Sequence, residues 1–335
     1  MKRFAGIAVA LGVIGLVVAF TLWILPAEEF IFTPHEAKPL AERVQVEGAD
    51  PREEDEGVYY VDVFVRRTTR LEDLFPFLRP EGSTVVPEEA ILPSGTSQDE
   101  RDRQTAAQMS RSELVASAVA LRALGYDVVA TPKGALVIDV ASDAPAAATI
   151  DSGDVIVAVD GTPVRTPDEL RREIGRREPG DPVELTLQRD GETQSVTVRT
   201  VPSPVDANRP IVGISVDQEA DIEVPVEVDI DLGSVGGPSA GLPFALEIAD
   251  QLGRDVTHGC RIAATGELAI DGTVLSVGGL RQKTIGARQA DVDVFVVPEG
   301  DNAAEARRHA DGLDVVPVES FQQALQELTT SARKC

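Results

Sequence analysis

"GGPSAGLPFALEI", residues 236–248, sets one serine, Ser239, among glycines and a proline directly before an apolar run of helical character. Glycine lets the backbone turn sharply and approach a second chain closely. A hydroxyl at the start of a helix also sits where backbone N–H groups gather, which suits an oxygen that is about to become anionic. Gly237 and Ala240, on either side of the Pro-Ser step, are the residues that would support it. A serine hydroxyl alone is a poor nucleophile and needs an adjacent base. The stretch therefore raises the question of which side chain takes its proton.

Three answers can be weighed along the chain. "GPSAG" satisfies G-x-S-x-G, and Asp271 or Asp291 followed by His309 supplies a Ser-Asp-His order downstream. That arrangement needs several sheet strands and an oxyanion loop before the serine, and His309 lies in "EARRHADG", which reads as a solvated helix. A formal S-x-x-K at Ser331–Lys334 lacks the S-D-N and K-T-G partners of its class. The third answer is Lys283, in "GGLRQKTIGA". The chain has 31 basic residues but only five lysines, so wherever a fixed positive charge suffices it writes arginine. Arginine keeps its proton in a protein, whereas a buried lysine can surrender it. To act near neutrality the amine must fall from ~10.4 to ~7, a shift that desolvation can supply.

Working outward, "VPSPVDANRP" (201–210) reads as a linker ahead of alternating apolar residues in "IVGISV" and "IEVPVEVDIDL". Upstream of it are short strands, "GALVIDV", "DVIVAVDGTPV" and "PVELTLQRDGETQSVTVRT". Asp160-Gly161 and Asp190-Gly191 are hairpin signals. "TPDELRREIGRR" begins with the capping residues Thr166 and Asp168 and spaces Leu170 and Ile174 helically. A helix is expected over 104–124, with Met109, Leu114, Ala118 and Leu121 near one face. Residues 26–55, rich in Glu, Asp and Pro, read as a solvated tether. From Phe4 to Leu25 no charge occurs; 22 residues at ~1.5 Å each reach ~33 Å, enough to cross a bilayer. Lys2 and Arg3 precede that run and Glu28 and Glu29 follow it, which places the bulk of the chain outside the cytoplasm. A cleavable signal peptide is the alternative, but no small-x-small site precedes Pro26.

The formal net charge of −25 argues against nucleic-acid binding. Cys260 and Cys335, the only cysteines, stand in no metal-spaced pattern, and their pairing is not expected. No H-E-x-x-H and no Gly-Lys dipeptide occurs, so neither a metal nor a nucleotide cofactor is expected.

Two resemblances extend this reading. The order "GALVIDV…GDVIVAVDGTPV…PDELRREI…GDPVELTLQRDG" resembles a permuted PDZ domain of bacterial envelope proteases. The resemblance implies capture of a peptide C-terminus by the loop Lys133, Gly134, Ala135 and Leu136, with Leu170 and Ile174 lining the side-chain pocket. The segments "GGPSAGLPFALEI", "TGELAIDGTVLSVGGLRQK" and "VFVVPEGDNAAEA" resemble the proteolytic domain of Lon-type Ser-Lys proteases, above all the membrane-anchored subgroup that joins it to a PDZ domain. That resemblance implies Ser239 as nucleophile, Lys283 as general base and Thr265 as the hydroxyl that holds the amine. The fold class expected is α/β (α+β): a transmembrane helix, a β-rich PDZ domain and a Lon-type domain of the ribosomal-protein-S5-domain-2-like class. The expected boundaries are a cytoplasmic stub at 1–3, anchor at 4–25, acidic linker at 26–57, an extracytoplasmic α/β segment at 58–130, PDZ at 131–201 and proteolytic domain at 206–330. Protein or peptide substrates, membrane attachment, no nucleic acid and no cofactor follow, and a homo-oligomer is compatible with the sequence. The rival reading is a non-catalytic PDZ adaptor of the cell envelope.

Overall fold

The computed structural model describes residues 2–49, 57–91, 98–141, 143–189, 191–204, 206–233 and 235–330. Two compact units result, one of residues 1–112, 229–267 and 274–335, the other of residues 113–228 and 268–273.

The first unit is organised by a five-stranded sheet in the order Lys38–Pro39, Gly57–Tyr60, Arg261–Ala264, Val294–Pro298, Asp314–Val318. The last four run parallel. Parallel neighbours require crossovers, and the helices Leu280–Gln289 and Asp301–His309 supply them. All five residues of Val294–Pro298 are buried, as a strand covered on both faces must be. Phe295, Val297, Ala263, Ala287 and Ala306 fill the core between sheet and helices. The helix Gly241–Gln251 is buried from Gly241 to Asp250, which explains its near-continuous apolar reading.

Part of the tether expected at 26–55 is ordered architecture. Pro26–Pro34 is the central strand of a three-stranded antiparallel sheet between Val63–Thr69 and Thr84–Pro87. Phe30, Ile31 and Leu40 are buried there. Acidic composition alone does not reveal the strand in "PAEEFIFTP", four of whose nine residues are buried; residues 50–56 lie outside those described. These N-terminal strands clasp the helix Leu280–Gln289. The carbonyl of His35 lies so close to Gly286 that a Cβ there would meet it at 2.0 Å. Ala37 N donates to Gly286 O at 3.1 Å, and the Gln282 amide donates to Gly82 O at 3.2 Å and Thr84 Oγ1 at 2.8 Å.

Lys2–Ile24 forms a helix. Among the described residues no helix is long and apolar enough to cross a membrane. Gln98–Ala123 is helical, as expected, with Met109, Ala118 and Leu121 buried; Leu114 is 40% exposed and leaves the apolar stripe. Cys260 is disulfide-bonded, against the expectation that it stays unpaired; Cys335 lies outside the described residues.

The second unit carries the β-rich pattern. Its sheet runs Glu192–Arg199, Pro182–Arg189, Val155–Val159, Val129–Val140, Ile214–Glu223. Arg189 pairs with Glu192, leaving two residues for the hairpin loop, of which Asp190 lies outside the described set. Asp160 takes φ +46° ahead of Gly161, the turn geometry that an Asp-Gly step favours. Thr166 caps the helix Pro167–Ile174 by accepting from Glu169 N. The linker expected at 201–210 forms a short hairpin, Val201–Ser203 with Asp206–Ile211.

Candidate active site

Ser239 lies in a single 3₁₀ turn, Pro238–Ala240, from which the buried helix Gly241–Gln251 starts at once. Gly237 before it has φ +95°, a conformation that side-chain-bearing residues avoid. Gly236 packs on the long helix, where a Cβ would meet Thr105 Cγ2 at 2.4 Å. Gly237 N donates to Thr105 O at 3.1 Å, and Ser112 Oγ donates to Pro238 O at 3.1 Å. On its other flank the turn is tied to the end of the strand Arg261–Ala264. Gly266 N donates to Ser239 O at 2.9 Å, and Leu242 N donates to Gly266 O at 3.0 Å. The backbone that carries the serine is thus fixed from two sides, while its half-buried hydroxyl makes no hydrogen bond to a described residue.

Lys283 comes from the first turn of the helix Leu280–Gln289, where its N–H bonds Gly279 O at 2.9 Å. The side chain is 4% exposed. Among the described residues its Nζ makes one hydrogen bond, to Thr265 Oγ1 at 3.0 Å. Loss of hydration pushes the amine down to about 7, against the opposing pull of the Asp62 carboxylate. Thr265, itself fully buried, donates from the same Oγ1 to Ser239 O at 3.2 Å. One hydroxyl therefore joins the lysine amine to the serine backbone, and Thr265 is fixed by its own N–H to Val296 O at 3.0 Å.

Of the three supporting residues named from sequence, Gly237, Ala240 and Thr265, the first has its N–H engaged by Thr105 O in this conformation. The Ser-Asp-His alternative is not assembled. His309 bonds Glu305 Oε1 at 3.1 Å, one turn back on its own helix. Burial and the neighbouring Arg281 hold its pKa down. A cavity of about 830 Å³ beside Arg281, Arg288 and His309 includes neither Ser239 nor Lys283. Among the described residues no cluster suited to a metal ion occurs.

The peptide-capture residues differ from expectation. Lys133, Gly134, Ala135 and Leu136 are not a loop but lie inside the strand Val129–Val140, where Ala135 and Leu136 are paired on both sides. Ala135 opposes Gln218 on one neighbour and Ile156 on the other. A Cβ on Gly134 would lie 2.6 Å from Val155 Cγ1, so this glycine serves strand packing. Lys133 Nζ meets Asp221 Oδ1 at 2.5 Å. Leu170 and Ile174 are buried in the core of the unit with Val137, Leu185 and Leu187. Ile214–Glu223 ends the sheet, so that strand rather than Val129–Val140 offers an edge beside the helix Pro167–Ile174. Gln218 Nε2 donates to Arg165 O at 2.8 Å, tying this edge strand to the residue before the helix cap. The signal for it in the sequence was "PIVGISV", an apolar run broken by Gly213, which adopts φ +79°.

Comparison with known proteins follows the same division. A PDZ domain family model matches residues 122–200, and the Lon protease (S16) C-terminal proteolytic domain matches 194–331. The Lon protease of Mesomycoplasma hyopneumoniae (strain 232) is 36% identical over 91 residues, 26% of this chain and 10% of its own length. A probable periplasmic serine endoprotease, DegP-like, from Rhizobium meliloti (strain 1021) is 34% identical over 107 residues, 32% of this chain and 21% of its own. A protein of the same description from Halomonas elongata is 47% identical over 68 residues, 20% and 14%. The chain thus spans about a tenth to a fifth of the length of these curated relatives. The chain thus joins a stretch that matches a PDZ domain to one that matches a Lon protease (S16) C-terminal proteolytic domain.

Proposed function

We propose that this protein is a membrane-anchored serine endopeptidase of the cell envelope, in which Lys283 activates Ser239 without nucleotide hydrolysis. The observation that carries this reading is the Thr265 hydroxyl, which receives the Lys283 amine and holds the carbonyl of Ser239. Neutral Lys283 takes the Ser239 proton as Oγ bonds to the carbonyl carbon of the scissile peptide. The protonated amine then passes its proton to the departing amine nitrogen, the C–N bond breaks, and an ester on Ser239 is left. Lys283 next removes a proton from water, whose oxygen attacks the ester; Ser239 leaves with that proton, and the carboxylic acid product departs and gives its remaining proton to solvent. Ala240, where the buried helix begins, offers its N–H to the oxygen that becomes anionic. A substrate-induced rotation of the serine or lysine side chain is required to bring the two into hydrogen-bond reach, as is common for unliganded sites. Full-length protein incubated with an unfolded protein should yield fragments that disappear with Ser239→Ala; no Ser239-dependent fragments would favour the adaptor reading.

Anchoring rests on the helix Lys2–Ile24. From Leu11 onward it exposes large apolar side chains on all sides, Leu16, Phe20 and Trp23 among them, and soluble surfaces do not favour that. Basic residues before it and acidic residues after it support an extracytoplasmic catalytic domain.

For the PDZ unit, the strand pairing argues for peptide addition at Ile214–Glu223, next to the helix Pro167–Ile174, with the bend at Ile211–Gly213 nearest the peptide's last residue. Peptides with free C-termini should bind and shift the amide resonances of Ile214–Glu223 more than those of Lys133–Leu136. Equal binding of amidated peptides removes carboxylate capture, and shifts centred on Lys133–Leu136 reject the edge assignment.

A further inference from the structure

Besides Gly82 and Thr84, two further N-terminal segments hold the Lys283 helix, both outside the match to the proteolytic domain. At its start, Val63 packs on Gly279, where a Cβ would meet Val63 Cγ2 at 2.9 Å. Two turns on, the His35 carbonyl lies against Gly286 and Ala37 N bonds the Gly286 carbonyl. Lys283 stands between these contacts. The two segments pair as strands, Pro34 opposite Val63 and Lys38 opposite Tyr60, and between those pairings a side-chain hydrogen bond joins His35 Nδ1 to Asp62 Oδ1 at 2.6 Å. Asp62 directly precedes Val63, is largely buried, with 17% of its side chain exposed, and is the carboxylate whose field reaches the Lys283 amine.

We propose that Asp62, held by His35, is a positioning residue of the active site that stabilises the ammonium form of Lys283 each time Ser239 gives up its proton. The inference rests on the Ser-Lys reading above and adds a residue to it. A dry pocket alone makes the amine neutral but also makes its protonated form costly, and that form arises in both halves of the reaction. A fixed carboxylate offsets part of the cost without touching substrate. The other ionisable neighbours do not duplicate it. Tyr60 feels Asp62 and Arg43, and burial raises its pKa, so it stays neutral. Glu28 and Glu29, on the strand Pro26–Pro34, lie near Arg70 and Arg79. Arg281 and Arg288, on the lysine's own helix, act on His309, and Arg288 pairs with Asp311.

The test is Asp62→Asn in the full chain, a near-isosteric change that keeps an acceptor for His35. With lysine ¹³C-labelled protein in a Ser239→Ala background, the Lys283 titration midpoint should fall by on the order of one pH unit. The acid limb of the pH–rate profile of the otherwise native enzyme should move down by the same amount, and Asp62→Glu should restore it in part. His35→Ala should move the midpoint in the same direction by less, which gives a second variant should Asp62→Asn fold poorly. An unmoved or raised midpoint overturns the inference. Because the titration is read in an inactive protein, its outcome stands apart from whether Ser239 and Lys283 cleave peptides.

Discussion

Lys283→Arg lowers peptide cleavage by roughly 10³-fold or more, and Ser239→Ala does the same, since members of such a unit fail together. Arginine keeps the charge and approximate length of lysine but never becomes a base in a protein. The wild-type profile should rise through about pH 7 and then level, because that is where burial places the amine. Lys283→Met, tested beside Lys283→Arg, separates loss of the base from the cost of forcing a guanidinium into a site that leaves lysine 4% exposed. Near-wild-type cleavage by any of the three variants ends the Ser-Lys assignment. The assay is fragment formation from an unfolded protein by full-length enzyme in detergent, with circular dichroism to show that each variant is folded.

Stability should change in the opposite direction. The lysine is depressed from 10.5 to about 7 in the folded protein, so the folded state binds fewer protons than the unfolded state between those values. Stability therefore rises with pH across that window, and below about pH 7 the whole cost of a buried ammonium is present. Converted at ~1.4 kcal/mol per pH unit, that cost is at most about 5 kcal/mol. Lys283→Met removes it while filling similar space. The variant should be more stable than wild type by several kcal/mol at pH 6, and the gap should close as pH approaches 10. Urea unfolding at the two pH values measures it. A variant equally stable or less stable at pH 6 contradicts the picture of an amine held at a cost for function.

What was legible in the sequence was local. Ser239 and Lys283 each sit in a short segment whose residues point to a role, Thr265 was named through the family resemblance, and the structure links the three through one threonine hydroxyl. The parallel strands and crossover helices of residues 261–318 follow from apolar runs separated by helical periodicity. What was not legible depends on pairings between distant segments. Strand Gly57–Tyr60 completes the sheet beside Arg261–Ala264, and Gln282 is anchored by residues 200 positions earlier. No periodicity announces such partners, so the contribution of His35, Asp62 and Val63 to the Lys283 helix stayed hidden. The strand placement of Lys133–Leu136 was hidden for a related reason. "KGALV" reads as a loop entering a strand, but whether a strand lies at an edge is decided by sheet order, and Ile214–Glu223 returns to cover it.

The central claim is that the amine beside Ser239 is uncharged at working pH. With only five lysines in the chain, ¹³C-labelled lysine in the Ser239→Ala protein gives few enough resonances to assign by single substitutions. The account predicts that the Lys283 resonance titrates near pH 7. A Lys283 resonance that stays protonated to pH 10 contradicts it.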